Sequence, residues 1–146
     1  MEDEKTMEDE KEAAAIRRGV VRLARRLRAE RPEWALSTNK TGVLAHLMHH
    51  GPSTPGELAA AERQQPQSLT RVFADLEHAG LVSRTRSTAD RRQVLLAITA
   101  EGHRALAEDM AQRDAWLGSA LGGLNHTERQ VLLLAAELMD RLASAD

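Results

Sequence analysis

The stretch "LTRVFADLEHAGLVSRTRSTADRRQVLLAITAEG", residues 69–102, decides the fold. It opens with apolar residues at the i, i+3, i+4 and i+7 spacing of a helix face, namely Leu69, Val72, Phe73 and Leu76. Gly80 then ends the helix, and two β-rich runs, "LVSRTR" and "QVLLAI", follow around the six polar residues 87–92. The pattern predicts a helix followed by a β-hairpin with a basic tip.

A second, shorter helix is predicted just before this stretch, in "STPGELAAAERQQPQ", residues 53–67. Thr54 caps it, Pro55 stands at its first position, and Glu57 completes a capping box. The helix ends near Ala61, and the polar turn "ERQQ" leads to Pro66, which opens the next helix. Two short helices joined by a tight turn are typical of a helix-turn-helix.

Longer helices are expected on both sides of this unit. Apolar spacing predicts helices over 13–30 and 38–50 before it, and over about 100–120 and 126–143 after it. The apolar positions of the last helix cover too much of its circumference for one neighbour, so a partner subunit is expected to bury them. The fold class is therefore mainly α with a small β-hairpin wing: a winged helix-turn-helix flanked by long N- and C-terminal helices.

Charge is distributed unevenly along the 146 residues. The net charge is −2, but residues 1–12 alone carry −5, which leaves a basic body of +3. The first residues, "MEDEK", recur at 7–11, which indicates a solvated, flexible extension, or a continuation of the first helix, with Met7 as an alternative start. The chain has no cysteine, which excludes disulfides and a thiol redox switch, and no signal peptide or membrane span, so we expect a cytoplasmic protein.

Together these residues resemble the winged helix of MarR-type transcriptional regulators. The resemblance covers roughly residues 14–143. Its most specific parts are "SLTRVFADLEHAGLVSR", like the family's recognition helix, "DRR" at 90–92 before "VLLAIT", like its D-x-R wing motif, and "TAEG" at 99–102, like the cap of its first C-terminal helix.

The resemblance implies a single MarR-like domain over 13–146, with the winged helix at about 36–98 and dimerisation helices at about 13–31 and 100–143. It implies a homodimer that binds a pseudo-palindromic operator as a repressor or an activator, of which we expect a repressor. It also implies release of the DNA by a small anionic, often phenolic or aromatic, effector. We expect neither a cofactor nor a membrane partner.

The predicted recognition helix has a polar face suited to DNA. A helix in the major groove reads base edges through residues near its N-terminus, so Gln67 and Arg71 are expected to contact bases. Ser68 and Thr70 are expected to contact the phosphate backbone. Asp75 and Glu77 lie further along and should turn away from the DNA.

The predicted wing carries four arginines against one aspartate: Arg84, Arg86, Arg91, Arg92 and Asp90. Exposed ion pairs contribute only about 0–1 kcal/mol, so stability does not account for this density of cations, whereas the negative potential of a narrow minor groove does. The resemblance makes Arg92 the minor-groove arginine and Asp90 the residue that fixes it. It leaves Arg91 as a phosphate contact.

Three other functions compete with DNA binding as an interpretation of this sequence. His46 and His50 lie at i, i+4, a spacing that places two imidazoles on one metal ion, and His103 lies on the following long helix. A metal-responsive regulator using His46 and His50 is therefore one alternative, although the sequence does not provide a complete metal site. A winged-helix module for protein interaction is the other rival. No HExxH, GxGxxG or phosphate-loop motif is present and no catalytic residues are assigned, so we expect no enzyme.

Overall fold

The computed structural model describes residues 1–145 and contains six helices and one two-stranded sheet in that range. The helices are α1 (Glu2–Ala29), α2 (Thr38–His50), α3 (Pro55–Ala61), α4 (Pro66–His78), α5 (Ala100–Leu121) and α6 (His126–Ala143). Strands β1 (Val82–Arg86) and β2 (Val94–Ile98) pair antiparallel, with Val82 opposite Ile98 and Arg86 opposite Val94. The predicted fold class, a winged helix-turn-helix with flanking helices, is confirmed.

Helix α1 begins eleven residues earlier than the predicted start at 13. Its first turn holds Glu2, Asp3 and Glu4, and carboxylates there interact favourably with the positive end of the helix dipole. The acidic extension is therefore a helical continuation of α1 with exposed side chains. The flexibility expected of residues 1–12, and the single domain expected beyond them, stay predictions.

The chain forms two compact units. One consists of Met1–Glu30 together with the chain from Gln112 onward, and the other of Arg31–Ala111. The second unit contains the helix-turn-helix and the hairpin. Its core is apolar and draws on every element from α2 to the start of α5: Val43, Leu44, Leu47, Leu58, Ala59, Leu69, Phe73, Leu76, Val82, Leu96 and Leu106.

Helix ends in the second unit follow local signals in the sequence. Thr54 and Glu57 form the predicted capping box of α3, with Thr54 Oγ1 accepting the Glu57 N–H at 3.1 Å. Gly51 and Gly80 follow α2 and α4 with φ of 78° and 75°, a left-handed geometry that glycine adopts without a Cβ clash. Thr99 caps α5 through its hydroxyl, which accepts the Gly102 N–H at 3.0 Å.

The first unit exposes much of its apolar surface. Within the described residues, neither α1 nor α6 contains a buried side chain. Its large exposed hydrophobic residues include Met7, Ile16, Val20, Val21 and Leu23 on α1 and Val131, Leu132, Leu133, Leu134, Leu138, Met139 and Leu142 on α6. The capping box predicted for α6 is confirmed, since Asn125 Oδ1 accepts the Glu128 N–H at 2.9 Å. No helix in the described part of the chain is long and apolar enough to cross a membrane.

Candidate nucleic-acid interface

Helix α4 separates an apolar face from a polar one, as its sequence predicts. Leu69, Phe73 and Leu76 are buried in the core, which leaves the opposite side of the helix to solvent. The four residues assigned to DNA contact are all exposed there: Gln67, Ser68, Thr70 and Arg71. The Thr70 hydroxyl donates to the Pro66 carbonyl at 3.2 Å, so it is satisfied within the helix.

The two acidic residues of α4 have basic partners. Glu77 Oε2 lies 3.0 Å from Nε of Arg84, which connects α4 to strand β1. Asp75 Oδ2 lies 3.7 Å from Nζ of Lys40 on α2. Neither pairing follows from the local sequence pattern, and the first gives Arg84 a contact within the protein in addition to its expected contact with DNA.

The tip of the hairpin, residues 87–93, is held by a compact set of hydrogen bonds. The Ser87 N–H donates to the Gln93 carbonyl at 2.9 Å, and the Gln93 N–H donates to the Asp90 carbonyl at 3.0 Å. Ser87 Oγ accepts the N–H groups of Ala89 and Asp90 at 3.2 and 3.4 Å. These contacts fix the turn through two backbone hydrogen bonds and the Ser87 hydroxyl.

Asp90 acts on Arg92 through the backbone. Its Oδ1 accepts the Arg92 N–H at 3.0 Å, the geometry of an aspartate that closes a turn onto the chain two residues on. Arg86 reaches the same turn, because its Nη1 donates to the Arg91 carbonyl at 3.3 Å. The side chains of Arg91 and Arg92 are exposed, and no ion pair involves them within residues 1–145. The geometry therefore presents two cations at the tip.

The turn between α3 and α4 contains a basic residue that the sequence reasoning missed. Arg63 is exposed and has a φ of 51°, a left-handed conformation that the sequence "ERQQ" does not signal. A glycine at this place would have pointed to the turn geometry. Arg63 lies between the two helices whose relative position defines the motif.

His46 and His50 lie side by side on the last turns of α2. Their rings stack with centroids 4.3 Å apart, and His50 Nδ1 is 3.2 Å from the His46 carbonyl. Desolvation and the neighbouring His50 lower the pKa of His46, with Glu57 acting weakly in the opposite direction. Stacked rings direct their in-plane lone pairs side by side rather than toward one point. Across residues 1–145, no group of three or more His, Cys, Asp or Glu residues could hold a metal ion.

The MarR family model matches residues 36–94, which span α2, the helix-turn-helix and the start of β2. An HTH-type transcriptional regulator of Mycobacterium tuberculosis is 37% identical over 131 residues, covering 90% of this chain and 92% of its own. The HTH-type transcriptional repressor MdtR of Bacillus subtilis is 34% identical over 121 residues, covering 78% and 76%.

The fold of the chain is also similar to solved structures of transcriptional regulators. A protein of Pseudomonas aeruginosa superposes with a TM-score of 0.77 at 33% identity, covering 95% of this chain and 97% of the other. The structure of NadR in complex with 4-hydroxyphenylacetate superposes with a TM-score of 0.71 at 25% identity, covering 91% and 92%. On its recognition helix, its wing and these likenesses, the chain belongs to the MarR family and is a transcriptional regulator.

Proposed function

We propose that the protein is a homodimeric repressor that binds a pseudo-palindromic operator in cytoplasmic duplex DNA through α4 and the wing. One observation carries the DNA contact. The acids of this surface are all engaged, Asp75 with Lys40, Glu77 with Arg84, and Asp90 with a backbone N–H. Three exposed guanidinium groups beside them have no acidic partner in the described chain: Arg71, Arg91 and Arg92. They are available to phosphates and base edges.

In this proposal α4 enters the major groove with its N-terminal turns foremost. Arg71 presents two parallel donors that match O6 and N7 of guanine, and Gln67 matches N6 and N7 of adenine. Ser68 binds phosphate through its hydroxyl, since its N–H already donates to the Gln65 carbonyl at 3.0 Å. Thr70 does the same when its hydroxyl rotates from the Pro66 carbonyl to a phosphate oxygen, which accepts hydrogen bonds and cannot donate one.

The wing supplies the second contact. Arg92 enters the adjacent minor groove, where a narrow width raises the negative potential, and Arg91 binds a flanking phosphate. Arg84 and Arg86 border the same groove. Their bonds to Glu77 and the Arg91 carbonyl keep the strand and the tip in place while they do so. Arginine suits these sites because its planar fork binds phosphate in a bidentate manner.

Dimerisation is supported by the apolar residues of α1 and α6. Leu133 and Val131 are 61% and 60% exposed in a single chain, and their neighbours Leu132 and Leu134 are 45% and 56% exposed. Four consecutive positions cover most of the circumference of a helix, so one neighbouring helix cannot bury them all. Burial of such faces against a second copy removes the remaining exposed surface from water. Complete burial of a Leu or Val side chain contributes about 1.5–3 kcal/mol, so each of these half-exposed side chains contributes roughly half of that.

Selection of genomic fragments by the purified protein, followed by gel shifts at several salt concentrations, tests the proposal. We expect sub-micromolar binding to a fragment with an imperfect inverted repeat, and a logarithmic affinity that falls steeply with the logarithm of salt. Half-sites should lie about one helical turn apart, roughly 34–36 Å. Recovery of no specific fragment, or binding that ignores salt, would contradict the proposal and favour a module for protein interaction.

A small aromatic anion is proposed as the signal that releases the DNA, on the likeness to NadR, which was crystallised with 4-hydroxyphenylacetate. The same gel shifts with 4-hydroxyphenylacetate and with its uncharged amide at millimolar concentration test this step. We expect the acid to release the fragment and the amide not to do so. If neither 4-hydroxyphenylacetate nor any other member of a small set of aromatic carboxylates released the fragment, an effector of this class would be contradicted.

A further inference from the structure

The turn between α3 and α4 places a costly conformation at a charged residue. Among non-glycine residues of the described chain, Arg63 alone has a positive φ, at 51°. An L-residue there brings its Cβ close to the following carbonyl, whereas glycine adopts this conformation freely and is frequent in helix-turn-helix turns. The backbone of this protein would be more stable with glycine at position 63.

The residues on either side of Arg63 face the protein. Gln64 Nε2 donates to Asn39 Oδ1 at 2.8 Å, which attaches the turn to the start of α2. The Glu62 carboxylate packs against Gly42, where an added Cβ would lie 2.5 Å from Oε2. The Arg63 N–H donates to the Ala60 carbonyl at 3.1 Å, so the left-handed turn is fixed by its surroundings.

The Arg63 side chain, in contrast, faces solvent. It is exposed, and no ion pair or side-chain hydrogen bond involves it within residues 1–145. Its cation therefore gives the folded chain nothing that offsets the backbone strain. The turn is held by backbone hydrogen bonds that a glycine would make equally well, the Arg63 N–H to the Ala60 carbonyl and the Gln64 N–H to the Ala59 carbonyl. A strained conformation kept at a residue whose side chain makes no contact within the protein is characteristic of functional positions.

We infer that Arg63 is a further DNA-binding residue, which contacts a phosphate at the edge of the groove that α4 enters. The inference rests on the proposed function. In a helix-turn-helix the first helix crosses the sugar–phosphate backbone and the second enters the groove, so the turn between them lies beside the phosphates. Arg63 stands three residues before Pro66, the first residue of α4, in a turn anchored on both sides. Because the backbone at Arg63 is already fixed, its guanidinium binds a phosphate without a further loss of backbone freedom.

The test uses three variants, Arg63→Gly, Arg63→Gln and Arg63→Lys. For each, we measure thermal stability and binding to two duplexes: the one selected by the wild-type protein and one of random sequence. We expect Arg63→Gly to melt about 2–4 °C higher because the strain is removed. We expect it also to bind both duplexes about tenfold more weakly, with a salt slope smaller by about 0.9 for each subunit in contact. Arg63→Gln should lose as much DNA affinity as Arg63→Gly but should not melt at a higher temperature. Arg63→Lys should keep most of the wild-type affinity.

Lys11→Gln is the matched control, since it removes one exposed cation from the acidic start of α1. Unchanged affinity and salt slope in Arg63→Gly and Arg63→Gln, with the wild type binding normally, would overturn this inference alone. A loss confined to certain base sequences would also overturn it, because it would make Arg63 a reader of bases. Failure of the wild type to bind any duplex would instead overturn the proposed function together with this inference.

Discussion

The carboxylate of Asp90 closes the tip of the wing on the backbone of Arg92, with 3.0 Å between Oδ1 and the amide nitrogen. The resemblance to the D-x-R wing motif implies that Asp90 fixes Arg92, and in the structure the carboxylate bonds to the backbone of Arg92 and not to its guanidinium. Its effect on the position of the guanidinium is indirect. What matters at residue 90 is then an acceptor oxygen rather than a negative charge.

Two substitutions at Asp90 separate these properties. Asp90→Ala removes the acceptor, so we expect weaker operator binding even though the wing becomes more positive. Asp90→Asn keeps an acceptor oxygen and removes the charge, so it should bind as well as the wild type or more tightly. Gel shifts at fixed salt measure both. Tighter binding by Asp90→Ala would show that the wing acts as a simple basic patch, and equal losses in both variants would show that the charge itself is required.

Arg71 and Arg91 should differ in the kind of DNA contact they make. Arg71 lies on the exposed face of α4, and Arg91 lies at the wing tip. We expect Arg71→Ala to relax the preference at one or two base pairs, each worth about 1–3 kcal/mol, because a base contact carries sequence information. Arg91→Ala should weaken binding to all sequences alike and reduce the salt slope.

Binding to a set of operators with single base changes, at two salt concentrations, distinguishes the two arginines. A uniform loss for Arg71→Ala would reassign Arg71 to the phosphate backbone. Sequence-dependent loss for Arg91→Ala would mean that the wing tip reads bases.

Leu133 should be essential for pairing of two chains. It is 61% exposed on α6 and is flanked by apolar residues that are also exposed. We expect Leu133→Glu to sediment as a monomer at concentrations where the wild type is a dimer, because a buried unpaired carboxylate is strongly unfavourable. Operator binding should fall at least tenfold, since one subunit reaches only one half-site. Gln130→Glu adds the same charge at a polar position and serves as the control; a dimeric Leu133→Glu would exclude α6 from the interface.

The features that could be predicted from the sequence are those set by residues close together in the chain. The capping boxes Thr54–Glu57 and Asn125–Glu128 need only residues three apart, and both are confirmed. Asp109 shows the opposite case. It is fully buried on α5, where its carboxylate accepts the Leu36 N–H at 2.9 Å and the Thr41 hydroxyl at 3.5 Å, 73 and 68 residues away. Nothing in the local pattern distinguishes it from an exposed helix residue.

In the candidate DNA interface, too, some features follow from the local sequence and others depend on contacts between distant residues. The polar face of α4 and the basic wing follow from spacing and composition, and the structure exposes all of those side chains. The pairing of Glu77 with Arg84 and the left-handed turn at Arg63 depend on how α3, α4 and β1 pack. Such features arise only when the fold brings together elements that the local sequence spacing does not relate.

Glu62 should make stability depend on pH. Burial raises the pKa of its carboxyl above the usual 4.5. The folded state therefore disfavours the ionised form, so this contribution is favourable at low pH and is lost as pH rises through the folded pKa. We expect Glu62→Gln to be more stable than the wild type at pH 7, with the difference shrinking toward pH 4.5.

Thermal melts of both proteins from pH 4.5 to 7.5 measure this dependence. Glu108→Gln, which removes an exposed carboxylate from α5, is the control and should show no such trend. A difference between Glu62→Gln and the wild type that stays constant over this range would mean that Glu62 is not desolvated in the folded protein.

Gly102 allows α5 to approach the segment after α4 more closely than any other residue could. A Cβ at this position would lie 2.1 Å from the Leu81 carbonyl oxygen and 2.7 Å from Cγ1 of Ile98. The carbonyl cannot move aside without cost, because it also accepts the Thr99 N–H at 3.1 Å. Glycine is therefore required for packing here, although in an exposed helix interior it is about 0.5–1 kcal/mol less favourable than alanine.

Gly118 lies on the same helix and provides the matched comparison, since a Cβ there would meet nothing within 4 Å. We expect Gly118→Ala to raise the free energy of unfolding by about 0.5–1 kcal/mol. Gly102→Ala should lower it by about 1–3 kcal/mol through overpacking. Urea unfolding of the two variants measures both changes, and a stabilised Gly102→Ala would show that α5 does not approach Leu81 as closely as the structure has it.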